Sequence, residues 1–260
     1  MPNKSFTLKI SNQIKPYQKV IKVDSDKSIS IRSFLLSAIS HDISCVNNVL
    51  ESEDVYSAIN CLRKLGVKIT KLKSKKYLIY GKGLGSLNAN KGAVLNCGNS
   101  GTTARLLIGL LCTNPGTQIK ITGDHSLNKR DMSKLIKLMV RFGATFYPKN
   151  KINFPLKLVS SEMPIGIDYK AGSSAQLKSA VILAGLNAFG VTNITEEEES
   201  RDHTENMLLK NSKVLKIKKN RRKKNYIKVF GKKYLEPLKI NVGGDPSSAA
   251  FFVALTLLVP

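Results

Sequence analysis

Four segments of the chain repeat one pattern at a nearly constant spacing: KSISIRSFLLSAI from Lys27, NSGTTARLLIGLL from Asn99, SSAQLKSAVILAGL from Ser173 and PSSAAFFVALTLL from Pro246. Each sets Ser, Gly, Thr or Ala ahead of an amphipathic or wholly apolar run, which predicts a helix with a polar start. With Ser28, Ser100, Ser173 and Ser247 as markers, the spacings are 72, 73 and 74 residues. A period that constant points to duplication of one folding unit.

A second echo runs beside the first. CLRKLGVKI from Cys61 and LMVRFGATF from Leu138 both read as a helix end, a glycine past the end, then a strand; Met207 to Ile217 repeats this without the glycine. Short β-branched runs such as Thr117 to Thr122 and turn-rich joints such as GKGLGSLNANKG from Gly81 to Gly92 lie between. Each unit therefore holds strands and two helices in roughly seventy residues, an α/β architecture of the mixed α+β kind built from repeats. A fourth unit begins near Pro237 and reaches Pro260 with a helix but none of the later strands. The expectation is that the chain ends inside a domain, with an apolar helix in need of a partner.

At 260 residues and 42% hydrophobic content, the chain has room for one complete domain and part of another. No apolar run is long enough to span a bilayer, and the start MPNKSFTLKI lacks a signal-peptide apolar core, so a soluble, cytoplasmic protein is expected. Four cysteines without C-x-x-C pairing and three histidines suggest neither a metal site nor a disulfide framework, and no cofactor is expected. A net charge of +24 suits acidic metabolites, nucleic acid or anionic membrane. The densest basic run, from Lys213 to Lys233, alternates lysine with Val, Ile, Tyr and Phe. That alternation favours a hairpin with one wet face over a nucleic-acid patch.

The stretch NCGNSGTTARLL, Asn96 to Leu107, has two readings on its own residues. It is either an ordinary capped helix or a cradle of bare backbone N–H groups for an anion. Ser28, Ser100 and Ser174 likewise fit simple caps. The spacing from Ser28 to Arg32 puts both on one helical face. Asp202 and Glu205 suit the first turn of a helix, and His125 and His203 suit structural hydrogen bonding.

Six segments, in one order, carry a resemblance. They are DKSISIR from Asp26, LNCGNSGTTARLL from Leu95, GDHSLNKRDM from Gly123, SSAQLKSAVILAG from Ser173, SRDHTENML from Ser200 and GDPSSAAFF from Gly244. Together they resemble the 5-enolpyruvylshikimate-3-phosphate (EPSP) synthase family, across a length somewhat over half of a typical member. The resemblance implies two similar domains of three βαβαββ units each, closing like a clamshell. Residues 21–236 would then form one whole domain, with 1–20 and 237–260 belonging to the other.

It also implies an activity: transfer of the enolpyruvyl group from phosphoenolpyruvate to the 5-hydroxyl of shikimate-3-phosphate, with release of phosphate, on the route to chorismate and the aromatic amino acids. Both substrates are polyanions, which lysine, arginine and helix N-termini are suited to hold. Lys27 matches the family's catalytic lysine, which contacts both substrates. Ser28, Arg32, Ser174, Ala175, Gln176 and Arg201 match shikimate-3-phosphate ligands. Asn99, Gly101, Thr102 and Arg130, with Lys27 and Gln176, match the phosphoenolpyruvate pocket. Arg105, inside the same motif, reads as a brace for the loop. The implied partners are these small molecules, with no nucleic acid and no membrane. A monomer is expected unless a separate chain supplies the second domain.

The sequence departs from the family at two motif edges, where VDSDKS stands for V-P-G-D-K-S and GGDPSS for P-G-D-I-S-S. The family's catalytic acids, placed in the second domain, have no counterpart, so the 260 residues are expected to bind shikimate-3-phosphate weakly and turn over negligibly. Two competing expectations stand beside this one. The first is the related UDP-N-acetylglucosamine enolpyruvyl transferase, which lacks the KSISIR and SAQ loops. The second is a non-enzymatic remnant or basic nucleic-acid-binding module.

Overall fold

Asp26 turns its carboxylate back to accept the Ile29 N–H at 2.7 Å, and that cap starts helix α1 (Lys27–Ile39). The computed structural model describes residues 18, 20–90, 92–209, 213–219 and 225–258. The first unit continues through β1 (Ile43–Asn47), α2 (Glu53–Lys64), β2 (Lys68–Lys71) and β3 (Tyr77–Tyr80). The second runs β4 (Val94–Asn96), α3 (Gly101–Leu111), β5 (Gln118–Thr122), a single turn α4 (His125–Asn128), α5 (Ser133–Arg141), β6 (Thr145–Tyr147) and β7 (Leu156–Val159). The third runs β8 (Asp168–Ala171), α6 (Ala175–Asn187), β9 (Val191–Glu196), α7 (His203–Leu208), β10 (Leu215–Lys219) and β11 (Asn225–Phe230). After it come β12 (Lys239–Asn241) and α8 (Pro246–Leu258).

The repetition seen in the sequence is a repetition of topology. Three four-stranded sheets share one order, β4-β5-β7-β6, β8-β9-β11-β10 and β12-β1-β3-β2, with the first pair parallel and the other two antiparallel. In the last sheet β12, far along the chain, fills the place that β4 and β8 fill in theirs, with Cys45 opposite Lys239 and Asn47 opposite Asn241. Residues Ser25–Gly243 accordingly form one compact unit, and β12 lies within it. The described residues up to Asp24 and from Gly244 to Leu258 form the other, where the Asp245 N–H donates to the Asp24 carbonyl at 2.8 Å. In that unit α8 buries none of its side chains, and Phe251, Leu257 and Leu258 stand open.

Helices α1, α3 and α6 are buried nearly all round, so each is enclosed by the rest of the unit. Two of the serines inside α1 return their hydroxyls to the preceding turn, Ser30 to Asp26 O and Ser33 to Ile29 O at 2.8 Å each. Helices α3 and α6 start side by side and finish side by side. Thr113 at the end of α3 donates to Ala184 O at 3.1 Å, and Asn187 at the end of α6 donates to Thr113 O. Gly109 sets their separation: a Cβ there would sit 2.5 Å from the Ala180 carbonyl oxygen. Outer helices α2 and α5 bury one face only. Each ends in the expected glycine with positive φ, Gly66 and Gly143, before its strand.

The basic run forms the hairpin β10–β11. Leu215 faces Val229 and Ile217 faces Ile227 on the covered side, while Lys216 and Lys228 stand opposite one another on the wet side. Residues 220–224 of that run, and residues 1–17 at the start of the chain, lie outside the described residues. Among the described residues no helix is long and apolar enough to cross a membrane.

Candidate anion-binding site at three helix starts

The first turns of α3 and α6 bring five of the predicted residues together. Gln176, the second residue of α6, donates from Nε2 to Thr102 Oγ1 at 2.9 Å and accepts from Arg105 Nη1 at 2.8 Å. Arg105 also reaches back to the Gly101 carbonyl at 3.4 Å, so the residue read as a brace ties one helix start to the next. Arg130, just past α4, donates from Nη2 to Asn99 Oδ1. Gly101 lies between the two arginines: a Cβ on it would stand 2.8 Å from Nη1 of Arg105 and of Arg130 alike. Asn99, Gly101, Thr102, Arg130 and Gln176 are therefore one cluster.

Its backbone is fixed by local bonds. Ser100 caps α3, accepting from the Thr103 N–H at 3.2 Å, and Ser174 caps α6, accepting from Leu177 at 3.4 Å. Ser28 does not cap α1, a role Asp26 takes; Ser28 is the second helical residue. The loop before α3 is held by Cys97 N–H to Thr122 O and Asp124 N–H to Gly98 O, each 2.8 Å. Backbone N–H groups at such starts, with cationic side chains beside them, favour anions.

A second group surrounds Arg32, which is only 4% exposed. Its Nε donates to Thr204 Oγ1 at 2.9 Å, Nη1 to Ser28 O at 3.1 Å and Nη2 to Ser179 Oγ at 3.2 Å. Three of its five N–H groups are thus spoken for. Burial lowers the pKa of Arg32, Glu205 and Asp26 counter that, and Arg201 adds to it. Arg201 is exposed and makes no hydrogen bond or ion pair among the described residues. Ala175 opens α6 beside its cap.

Lys27 stands apart from both groups, in an ion pair with Asp54 Oδ2 at 2.9 Å. Asp54 also accepts Thr103 Oγ1 on its carbonyl at 3.4 Å, which links Lys27 to the start of α3. Asp54 was not singled out from the sequence; an acid in the first turn of α2 reads as a helix-dipole residue. Nor was Lys178, whose only signal is a lysine inside the apolar run of α6. Glu205 sits in the first turn of α7 as expected, yet it is buried, 2.7 Å from the Lys178 ammonium. His203, ahead of it, is half-buried, with a pKa lowered by burial and by Arg32.

The sequence model of the family described as EPSP synthase (3-phosphoshikimate 1-carboxyvinyltransferase) matches residues 11–260. Among similar curated proteins, the 3-phosphoshikimate 1-carboxyvinyltransferase of Parvibaculum lavamentivorans is 39% identical over 241 residues, 92% of this chain and 53% of that one. Its namesake from Novosphingobium aromaticivorans is 41% identical over 245 residues, 94% of this chain and 55% of the relative. A solved structure of EPSP synthase from Acinetobacter baumannii superposes with a TM-score of 0.79 at 37% identity, over 89% of this chain and 51% of that one. The chain thus spans about half the length of the relatives it matches.

Proposed function

The chain belongs to the EPSP synthase family, and from that premise we propose that its three enclosed helix starts form the half-site for shikimate-3-phosphate and phosphoenolpyruvate. The reaction is transfer of the enolpyruvyl group to the 5-hydroxyl of shikimate-3-phosphate with release of phosphate. The observation that carries the reading is the joining of Thr102, Arg105 and Gln176 across α3 and α6, with Arg130 on Asn99 beside them. This gathers cations and helix N-termini where two anionic substrates would meet.

Roles follow from position. Arg32 and Arg201, with Ser28, Ser174, Ala175 and Gln176, hold the phosphorylated acceptor. Asn99, Gly101, Thr102 and Arg130 line the phosphoenolpyruvate pocket, where the absent side chain of Gly101 leaves the room the ligand needs. Lys27, kept at the surface by Asp54, is the catalytic cation: it neutralises phosphoenolpyruvate and assists proton transfer. The segments outside Ser25–Gly243 are the beginning of the second domain. Because the matched length is about half that of the relatives, the activity assigned to these 260 residues is binding, with turnover requiring the complementary half. Water-soluble polyanionic substrates support a cytoplasmic location.

Thermal unfolding with each acceptor tests the reading. Shikimate-3-phosphate is expected to raise the midpoint, since a ligand that binds only the folded state stabilises it, and UDP-N-acetylglucosamine is expected to leave it unchanged. The reverse pattern would assign the chain to the related transferase. Phosphate release by the 260-residue chain at ordinary enzyme rates would refute the restriction to binding.

A further inference from the structure

Behind the Arg32 group lies a cluster of charges fully removed from water. Lys178, one turn into α6, is 0% exposed, and its ammonium meets Glu196 Oε1 at 2.6 Å and Glu205 Oε1 at 2.7 Å. Glu196, at the end of β9, also accepts the Ser200 N–H at 2.9 Å, the Ser200 hydroxyl at 2.7 Å and Asn225 Nδ2 at 3.0 Å. Glu205 is less well served. Among the described residues Lys178 is its one ion-paired cation, and no other side chain donates to its oxygens. One ammonium against two carboxylates leaves the trio one negative charge in excess, and the field of Glu205 is the first of those countering the burial of Arg32.

Isolated buried ions cost far more than exposed ones, and a buried ion pair is poor evidence of stabilisation, since apolar side chains of similar size often serve as well. The arrangement calls for another explanation, and its connections supply one. Ser200, the residue before Arg201, is gripped from the Glu196 side and lies with its carbonyl 3.5 Å from Lys178 Nζ. Thr204, the residue before Glu205, accepts from Arg32 and donates to Ser179, the neighbour of Lys178. Both ends of the turn carrying Arg201, and the guanidinium of Arg32, thus hang on one buried cluster.

We propose that Lys178, Glu196 and Glu205 are positioning residues that fix the Arg32 guanidinium and the backbone of the turn carrying Arg201 for a phosphorylated carboxylate, a role that rests on the reading of the site given above. The field of the carboxylates offsets part of the cost of burying the Arg32 guanidinium, and the Thr204 and Ser179 bonds seat it. The Glu196 bonds fix the turn from which Arg201 projects, so the Arg32 guanidinium and the backbone of that turn are set before the ligand arrives.

The test is Glu205→Gln in the 260-residue chain, which keeps the shape and removes the charge, read three ways: thermal midpoint, the Arg32 Nε–H resonance without ligand, and the shikimate-3-phosphate dissociation constant. A variant that fails to fold is replaced by Glu205→Gln and Glu196→Gln with Lys178→Met, which removes all three charges and leaves none unpaired. The expected result is a folded chain whose Arg32 Nε–H signal shifts and loses protection from water. Affinity should fall on the order of ten- to hundredfold. An unchanged Arg32 signal in a folded variant overturns the proposal, as does an affinity loss that merely tracks a lowered midpoint. Failure of the unsubstituted chain to bind shikimate-3-phosphate would remove the proposed function instead, and the ligand-free Arg32 signal would still decide the positioning role.

Discussion

Gln176 donates to Thr102 at 2.9 Å, so the first turn of α6 is fastened to the first turn of α3 by a side chain that also accepts from Arg105. Gln176→Ala removes both bonds and leaves the Arg105 guanidinium with only the long bond to the Gly101 carbonyl. Urea unfolding should show a loss of about 1–2 kcal/mol. Affinity for shikimate-3-phosphate should fall in the same variant.

Gly101→Ala separates fold from ligand room. The new Cβ stands 2.8 Å from the tips of Arg105 and Arg130, which can swing aside, and alanine in a helix is favoured over glycine by up to about 1 kcal/mol. The thermal midpoint should hold or rise slightly. Phosphoenolpyruvate binding, measured in the presence of shikimate-3-phosphate, should weaken while binding of the acceptor alone stays close to normal.

Gly109→Ala has no such escape, because the Cβ meets the Ala180 backbone, at 2.5 Å from its oxygen and 2.7 Å from its Cα. The helices must move apart or the site strain, and a destabilisation of about 2–3 kcal/mol is expected from denaturant unfolding. A wild-type midpoint would mean that α3 and α6 are not packed this closely.

The buried acids set an acid limb of stability. Burial pushes Glu196 up, but the bonds from Asn225, Lys178 and Ser200 prevail and hold it at about 2, below its ordinary 4.5. Its contribution is therefore complete above pH 4.5 and is lost as pH falls toward about 2. Glu205 is displaced the other way, raised by burial against the pull of Lys178, so its ionised form subtracts stability above its raised value. Urea midpoints through the window below 4.5 should fall steeply for the unsubstituted chain and less steeply for Glu196→Gln. Equal slopes would contradict the assignment.

Much of the fold is legible in the sequence because the repeat is written in residues with strong local preferences. Ser100 and Ser174 cap helices, Gly66 and Gly143 end them, and Leu215, Ile227 and Val229 alternate with lysines along the basic hairpin. Each of these signals acts over a few residues, which is why each can be read without the fold. The seating of β12 beside β1 is not legible, since Cys45 and Lys239 are paired by tertiary structure alone. The site divides along the same line. Asn99, Gly101, Thr102 and Gln176 stand in small, polar helix starts that the sequence displays. Asp54, Lys178 and Glu196 act through partners distant in the chain, and their types say only that they are charged.

Titration of shikimate-3-phosphate into the 260-residue chain by calorimetry tests the central claim most directly, alongside Arg201→Ala. Arg201 has no hydrogen-bond or ion-pair partner among the described residues, so its loss should leave the thermal midpoint within about 0.5 kcal/mol of normal stability. The predicted result is one site per chain, with affinity about tenfold or more weaker in the variant, as for loss of a charge-assisted contact. No binding by the unsubstituted chain, or equal binding by the variant, would contradict the account.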